Sequence, residues 1–313
     1  MVAMTIRTRV SVHVILSSIL VASAYPQGSV ACPARTIAVS VLDHDGNLVT
    51  GIEPPEFRAE FRGRPLKILS SAVVSAPRRV VVLVDLSGSD SSVEEFIHRL
   101  ASNMATSMQQ DELRPALVLF SDHIIDTVDF SRPTLEVAQL LARLPQSRGR
   151  TALFDALKYA TVVLGQPLPG DSVYLISDGA ENASKAQRKD VETEFLARGI
   201  RIFSFSLGDN SSPRTQEEMS GPGLLSELAD LTGGMVLHIT LAPFPERLAS
   251  ELQRSYHQLS DFYELQLELP TEPIGKRSPW HLEVVNGQGK KRKDIRVIYP
   301  HQLVPCADAS PAD

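Results

Sequence analysis

Between residues 80 and 257 the hydrophobic pattern alternates between short apolar runs and a 3.6-residue period, whereas on either side it keeps a period of two. Alternating strands and helices build an α/β layer with a mostly parallel sheet, because parallel neighbours need a long crossover and a helix supplies it. Val80, Val81, Val82, Leu83 and Val84 are continuously apolar, as in a central strand covered on both faces. Val93, Ile97, Leu100, Met104 and Met108 then recur at helical spacing, with Glu94 and Glu95 near the positive end of that helix. Residues 116–120 and 124–130 are separated only by Ser121, Asp122 and His123, too few for a parallel crossover, so an antiparallel hairpin at the sheet edge is expected. The expected fold class is therefore α/β, a doubly wound, mostly parallel sheet with one antiparallel edge strand.

The remaining elements follow from the same patterns. Helices are expected at 134–144, 151–164, 185–197 and 224–231, with a last one marked by Leu248, Leu252 and Tyr256; strands are expected at 172–177, 201–207 and 235–239. Residues 208–223 lack apolar periodicity and contain Pro213 and Pro222, so they are expected to form a long polar loop leaving the carboxyl edge of the sheet. Asp209, Arg214, Glu217 and Glu218 would let such a loop select partners; a tolerated surface insertion is the alternative.

On the amino-terminal side, Ile37, Val39 and Val41 alternate with their neighbours before a turn at residues 43–47, and Phe57, Ala59 and Phe61 alternate with Arg58, Glu60 and Arg62. On the carboxyl-terminal side Tyr263, Leu265 and Leu267 share one face, Trp280, Leu282 and Val284 repeat the pattern, and Ile295, Val297 and Tyr299 finish it. Neither flank has enough strands for a core of its own. The expected organisation is a β domain built from 33–77 and 258–306, with an α/β domain at 78–257 inserted between them.

Arg7 and Arg9 precede an apolar stretch, residues 10–24, that ends in Ala22, Ser23 and Ala24. This is the layout of a secretory signal peptide, 1–24, cleaved near Ala24, and it places the mature chain outside the cytoplasm, secreted or periplasmic. The stretch is shorter than the ~20 apolar residues that cross a bilayer, so no transmembrane span is expected in the mature chain; an uncleaved anchor is the alternative. Cys32 and Cys306 sit near the two ends of the mature chain, either bridged in an oxidising compartment or left as two unpaired thiols. No Cys/His cluster offers a zinc site. The formal net charge of -6 argues against a nucleic-acid partner.

Chemistry concentrates where strands end. Asp85, Ser87 and Ser89 follow the apolar run at alternate positions, so in extended chain a carboxylate and two hydroxyls converge at the carboxyl end of a central strand. Ligands of open α/β sheets bind at that edge. Thr151 comes from the loop before a later helix, and Asp178 from the end of the strand closing at Ser177. Two carboxylates and three hydroxyls are hard donors suited to Mg²⁺ or Mn²⁺. With only two anions, such a set leaves positions for water or an incoming carboxylate, so a protein ligand presenting an acidic residue is the expected partner.

These residues resemble the metal-ion-dependent adhesion site of the von Willebrand factor A (VWA) domain: Asp-x-Ser-x-Ser, a distant Thr, and an Asp followed by Gly. All five positions are matched, by Asp85, Ser87, Ser89, Thr151 and Asp178, and the resemblance covers roughly residues 78–257. The flanking β segments resemble those of bacterial secreted VWA-related proteins. The resemblance implies a binding module rather than an enzyme. A secreted hydrolase using Asp85 is the competing class, but no Gly-x-Ser-x-Gly nucleophile sequence, P-loop or Gly-x-Gly-x-x-Gly accompanies it. A β-domain scaffold carrying a vestigial metal site is the third reading.

Overall fold

The computed structural model describes residues 34–73, 78–88, 98, 100, 113–146, 148–208, 216–240, 257–269, 271–272, 277–304 and 306–307. The expected signal peptide at 1–24, Cys32, Ser89, most of the helix expected around 93–108 and the helix marked by Leu248, Leu252 and Tyr256 lie outside them; His98 and Leu100 are helical, and Leu100 is buried. Among the described residues no helix is long and apolar enough to cross a membrane.

In chain order the strands are β1 (Arg35–Leu42), β2 (Phe57–Phe61), β3 (Arg64–Val73), β4 (Arg78–Asp85), β5 (Leu113–Phe120), β6 (Ile124–Val128), β7 (Ser172–Ser177), β8 (Arg201–Gly208), β9 (Val236–Thr240), β10 (Tyr263–Glu268), β11 (Thr271–Glu272), β12 (Ser278–Val284), β13 (Arg296–Ile298), β14 (Gln302–Leu303) and β15 (Cys306–Ala307). Four helices are described in full: α1 (Thr134–Leu141), α2 (Leu153–Leu164), α3 (Arg188–Arg198) and α4 (Gln216–Thr232).

One sheet has six strands in the order β6-β5-β4-β7-β8-β9. All its pairings are parallel except β5 with β6, which places the antiparallel hairpin at the edge, as the three-residue connection requires. Burial explains the unbroken apolar run of β4. Val80, Val82 and Val84 enter one core with Val137 and Leu141 of α1, whereas Val81 and Leu83 enter a second core with Leu157 of α2, Phe195 of α3 and Leu228 of α4. With helices on both faces, neither set of alternate residues can be polar.

Strands from both sides of this α/β segment intermix in a seven-stranded sheet, β13-β1-β10-β3-β2-β12-β14, whose pairs are all antiparallel. Its two edge strands, β13 and β14, are consecutive in the chain and joined only by Tyr299, Pro300 and His301. The sheet must therefore curl until its edges meet. The Trp280 indole N–H donates to the Pro300 carbonyl across this seam, with the Tyr299 ring edge-on at 5.1 Å. Val39, Phe57, Phe61, Leu265, Leu267 and Leu282 fill the concave side. The turn at 43–47 is a hairpin turn, with the Asp43 carboxylate accepting from the Asp45 and Asn47 N–H groups. A two-residue parallel pair of β11 with β15 completes the strands.

The connection at 208–223 is a correction. Instead of a loop running to Gly223, helix α4 begins at Gln216, so Glu217 and Glu218 stand in its first turn and Pro222 lies inside it. Asp209 and Arg214 lie outside the described residues. Gly221, Pro222 and Gly223 each carry a low helix propensity, and that local signal predicted a break. Tertiary packing overrides it: Leu225 and Leu228 are fully buried, and the Ser226 hydroxyl donates to the Pro222 carbonyl.

Candidate metal centre

The site is built where the strand order reverses. From β4 the chain moves to β5 on one side and later returns to β7 on the other, which opens a crevice at the carboxyl ends of β4 and β7. Asp85 ends β4 and Asp178 immediately follows β7. Two adjacent parallel strands thus deliver two carboxylates to one edge.

Asp85 is only 3% exposed and both its oxygens are engaged. Oδ1 accepts from the Ser87 backbone N–H at 2.9 Å, and Oδ2 accepts from the Ser177 hydroxyl at 2.6 Å. The first bond turns the chain tightly after the strand and holds Ser87, itself buried, against the carboxylate. Burial, and then the charge of Asp178, push the Asp85 carboxyl up to about 6 against the pull of the Ser177 and Ser87 hydrogen bonds. Asp178 is half-buried, and its Oδ1 accepts from the Ala180 N–H at 2.9 Å.

Thr151 is brought to the same edge by backbone stitching. Arg148 N–H donates to Leu86 O at 2.7 Å and Gly88 N–H to Gly149 O at 3.0 Å, so the loop before α2 runs alongside the loop after β4. The two loops are in van der Waals contact there, since a Cβ on Gly88 would lie 3.4 Å from the Gly149 carbonyl oxygen. Thr151 is buried; its N–H donates to Asn182 Oδ1 at 3.0 Å, and its carbonyl accepts from the N–H groups of Asn182 and Ala183. The loop after β7 also caps α2, through Glu181 and Ser184 accepting from the Phe154 N–H.

The structure therefore brings Asp85, Ser87, Thr151 and Asp178 to one crevice, while Ser89 lies outside the described residues. The donor set fits a hard divalent cation. Among the described residues no three His, Cys, Asp or Glu side chains gather as a metal cluster, so a cation here would have two carboxylates supplemented by hydroxyls. Burial, and then the charge of Asp178, make Asp85 costly to ionise, and a cation beside it would offset that cost.

Three residues at the site escaped the sequence reading. Ser177 carried no signal beyond ending its strand; the register that pairs Ile176 with Val84 sets it beside Asp85, where its buried hydroxyl donates to the carboxylate and accepts from the Gly179 N–H at 3.0 Å. Asn182 carried a weak signal, an amide in a turn-rich loop four residues after Asp178. Gly221 carried none, because its partner is 43 positions away in sequence: a Cβ there would lie 2.2 Å from the Asp178 carbonyl oxygen.

A six-stranded α/β sheet with helices on both faces and an oxygen-donor crevice at its switch point defines the VWA class of fold. The family described as VWA domain containing CoxE-like protein matches residues 59–222, just over half of the chain and spanning all five motif positions. The chain belongs to that family. Among solved structures it is similar to BatB from Bacteroides thetaiotaomicron, at 16% identity and TM-score 0.43 over 58% of this chain and 98% of that one. It is also similar to an aerotolerance-related membrane protein from Bacteroides fragilis, at 16% identity and TM-score 0.44 over 58% and 98%. A third similarity is to a von Willebrand factor type A protein from Catenulispora acidiphila, at 13% identity and TM-score 0.45 over 90% and 75%. No curated protein matches the chain.

Proposed function

We propose that this protein is an exported binding module that grips a protein partner through Mg²⁺ or Mn²⁺, held by Asp85, Ser87, Ser89, Thr151 and Asp178 and completed by an acidic residue of the partner. The observation that carries this reading is the convergence of Asp85 and Asp178 from adjacent strand ends, with Thr151 stitched beside them. When bound, the cation would supply a Lewis-acidic coordination position to which a partner carboxylate adds. The protein's own residues do the rest: Ser177 and the Ser87 N–H orient Asp85, Asn182 fixes the Thr151 backbone, and burial limits the competition from water. A role in adhesion or assembly, export guided by residues 1–24, and kinship with secreted bacterial VWA-related proteins belong to the same proposal.

Calorimetric titration tests it. The purified mature protein should bind Mg²⁺ or Mn²⁺ at a single site, and Asp85→Ala should abolish that binding while the circular dichroism of the fold persists. Ser87→Ala should weaken it less, since water can replace a neutral donor. Equal metal binding by Asp85→Ala would overturn the assignment. Affinity capture from extracytoplasmic extract, run with Mg²⁺ and again with chelator, should recover a partner only in the first case.

A further inference from the structure

We infer that helix α4 is the seat of Asp178, and that Gly221 is the positioning residue through which it acts; the inference rests on the metal-centre reading proposed above. Asp178 and Gly179 meet α4 backbone against backbone. A Cβ on Gly221 would lie 2.2 Å from Asp178 O and 2.9 Å from Gly179 C, and a Cβ on Gly179 would lie 2.5 Å from Gly221 O. No side chain fits between, so neither the helix nor the loop can shift without moving the other. Gly221 shows no positive φ, so its missing side chain serves close approach rather than backbone freedom. Gly179 serves both, with φ at +82°.

The far end of α4 is fastened as tightly. Gly233, just past the helix, would drive a Cβ to 2.6 Å from Pro300 N, and His301 N–H donates to the carbonyls of Asp230 and Leu231 at 3.3 and 3.1 Å. Pro300 and His301 belong to the turn that closes the curled sheet between β13 and β14. From Gly221 to Thr232 the helix advances about 17 Å. One rod thus spans from the metal-centre edge of the parallel sheet to the seam of the other sheet, with a backbone contact at each end. The position of Asp178 is consequently set by the seam as well as by β7.

The test uses the mature chain and four proteins: wild type, Gly221→Ala, Gly223→Ala and Asp85→Asn. Gly223 is the internal control, because it lies in the same helix and a Cβ there meets nothing within 4 Å. At a temperature where all four are folded, Gly221→Ala should weaken Mg²⁺ binding at least tenfold and Gly223→Ala should leave it unchanged. In the metal-free proteins the amide resonances of Asp178, Gly179 and Ala180 should move in Gly221→Ala and stay in Gly223→Ala. Unmoved resonances together with wild-type affinity would overturn the inference. Moved resonances in a protein that binds no Mg²⁺ in its wild-type form would instead overturn the metal-centre reading and leave the seat standing. Should Gly221→Ala fail to fold, hydrogen exchange of the wild type decides: Mg²⁺ should slow the amides of Gly179, Leu225 and His301 together, and an effect confined to Gly179 would refute coupling through α4.

Discussion

In metal-free protein at pH 7.5, Asp85→Asn should raise the free energy of unfolding by about 3 kcal/mol. The folded-state carboxyl titrates at about 6 instead of 3.8, chiefly because it is buried and next because Asp178 lies close. Each pKa unit corresponds to about 1.4 kcal/mol. A raised carboxyl pKa means that the folded chain holds the proton more tightly than the unfolded chain. This contribution to stability is fully present below pH ~4, is lost as pH rises through ~6, and is absent above it. Asparagine removes the charge but keeps the shape, an oxygen for the Ser87 N–H and an amide that can donate to Ser177. Chemical denaturation at several pH values should therefore show the two proteins converging near pH 4 and separating to a constant gap above pH 6. Saturating Mg²⁺ should reverse the order, since a ligand at a hundredfold its Kd stabilises the protein that binds it by about 2.7 kcal/mol. A gap that ignores pH would show that Asp85 is not the group whose ionisation opposes folding.

That the most useful group is also a destabilising one explains part of what the sequence reveals. Buried strands are legible because burial imposes apolar identity at every position, as in β4, or at every second one, as in β2 and β12. Site carboxylates are legible for the opposite reason: Asp85 interrupts an apolar run where only function or a turn tolerates it. What the sequence hides is contact at a distance. The residues 221–223 look like a helix breaker by composition, yet Gly221 is small because Asp178 occupies the space where its side chain would be. Ser177 was hidden for the same reason: only the register of β7 against β4, which pairs Ile176 with Val84, sets its hydroxyl beside Asp85. The curl of the seven-stranded sheet was equally hidden, since it depends on which strands occupy its edges rather than on any local pattern.

Phe262→Ala should lower stability by roughly 5 kcal/mol, the largest loss expected from any single truncation at the junction of the two sheets. Phe262 is fully buried immediately before β10, and its ring is flanked by two guanidinium groups, Arg78 at 4.4 Å and Arg201 at 4.2 Å from the centroid. Arg78 and Arg201 are the first residues of β4 and β8, so the ring plugs the amino edge of the parallel sheet, opposite the edge that carries Asp85 and Asp178. Its tip reaches Gly170, where a Cβ would lie 2.2 Å from Cζ, which leaves no larger residue admissible at 170. Arg201 is 1% exposed and donates to the carbonyls of Gln258 and Leu259, while Arg78 pairs with Glu264 at 3.0 Å. Burial, and then the like charge of Arg78, lower the Arg201 guanidinium to about 9, so the aromatic faces offset a repulsion that nothing else in the ring's place would. Truncation of a buried phenylalanine costs about 3–5 kcal/mol through lost transfer energy and the cavity left behind, and each cation–π contact adds about 0.5–2 kcal/mol. Phe262→Leu keeps most of the volume but no π face, and should recover about half of the loss. Denaturant midpoints for the two variants measure both quantities, and a loss below 2 kcal/mol in Phe262→Ala, or equal losses in the two, would show that the ring is filler rather than the joint between the arginines.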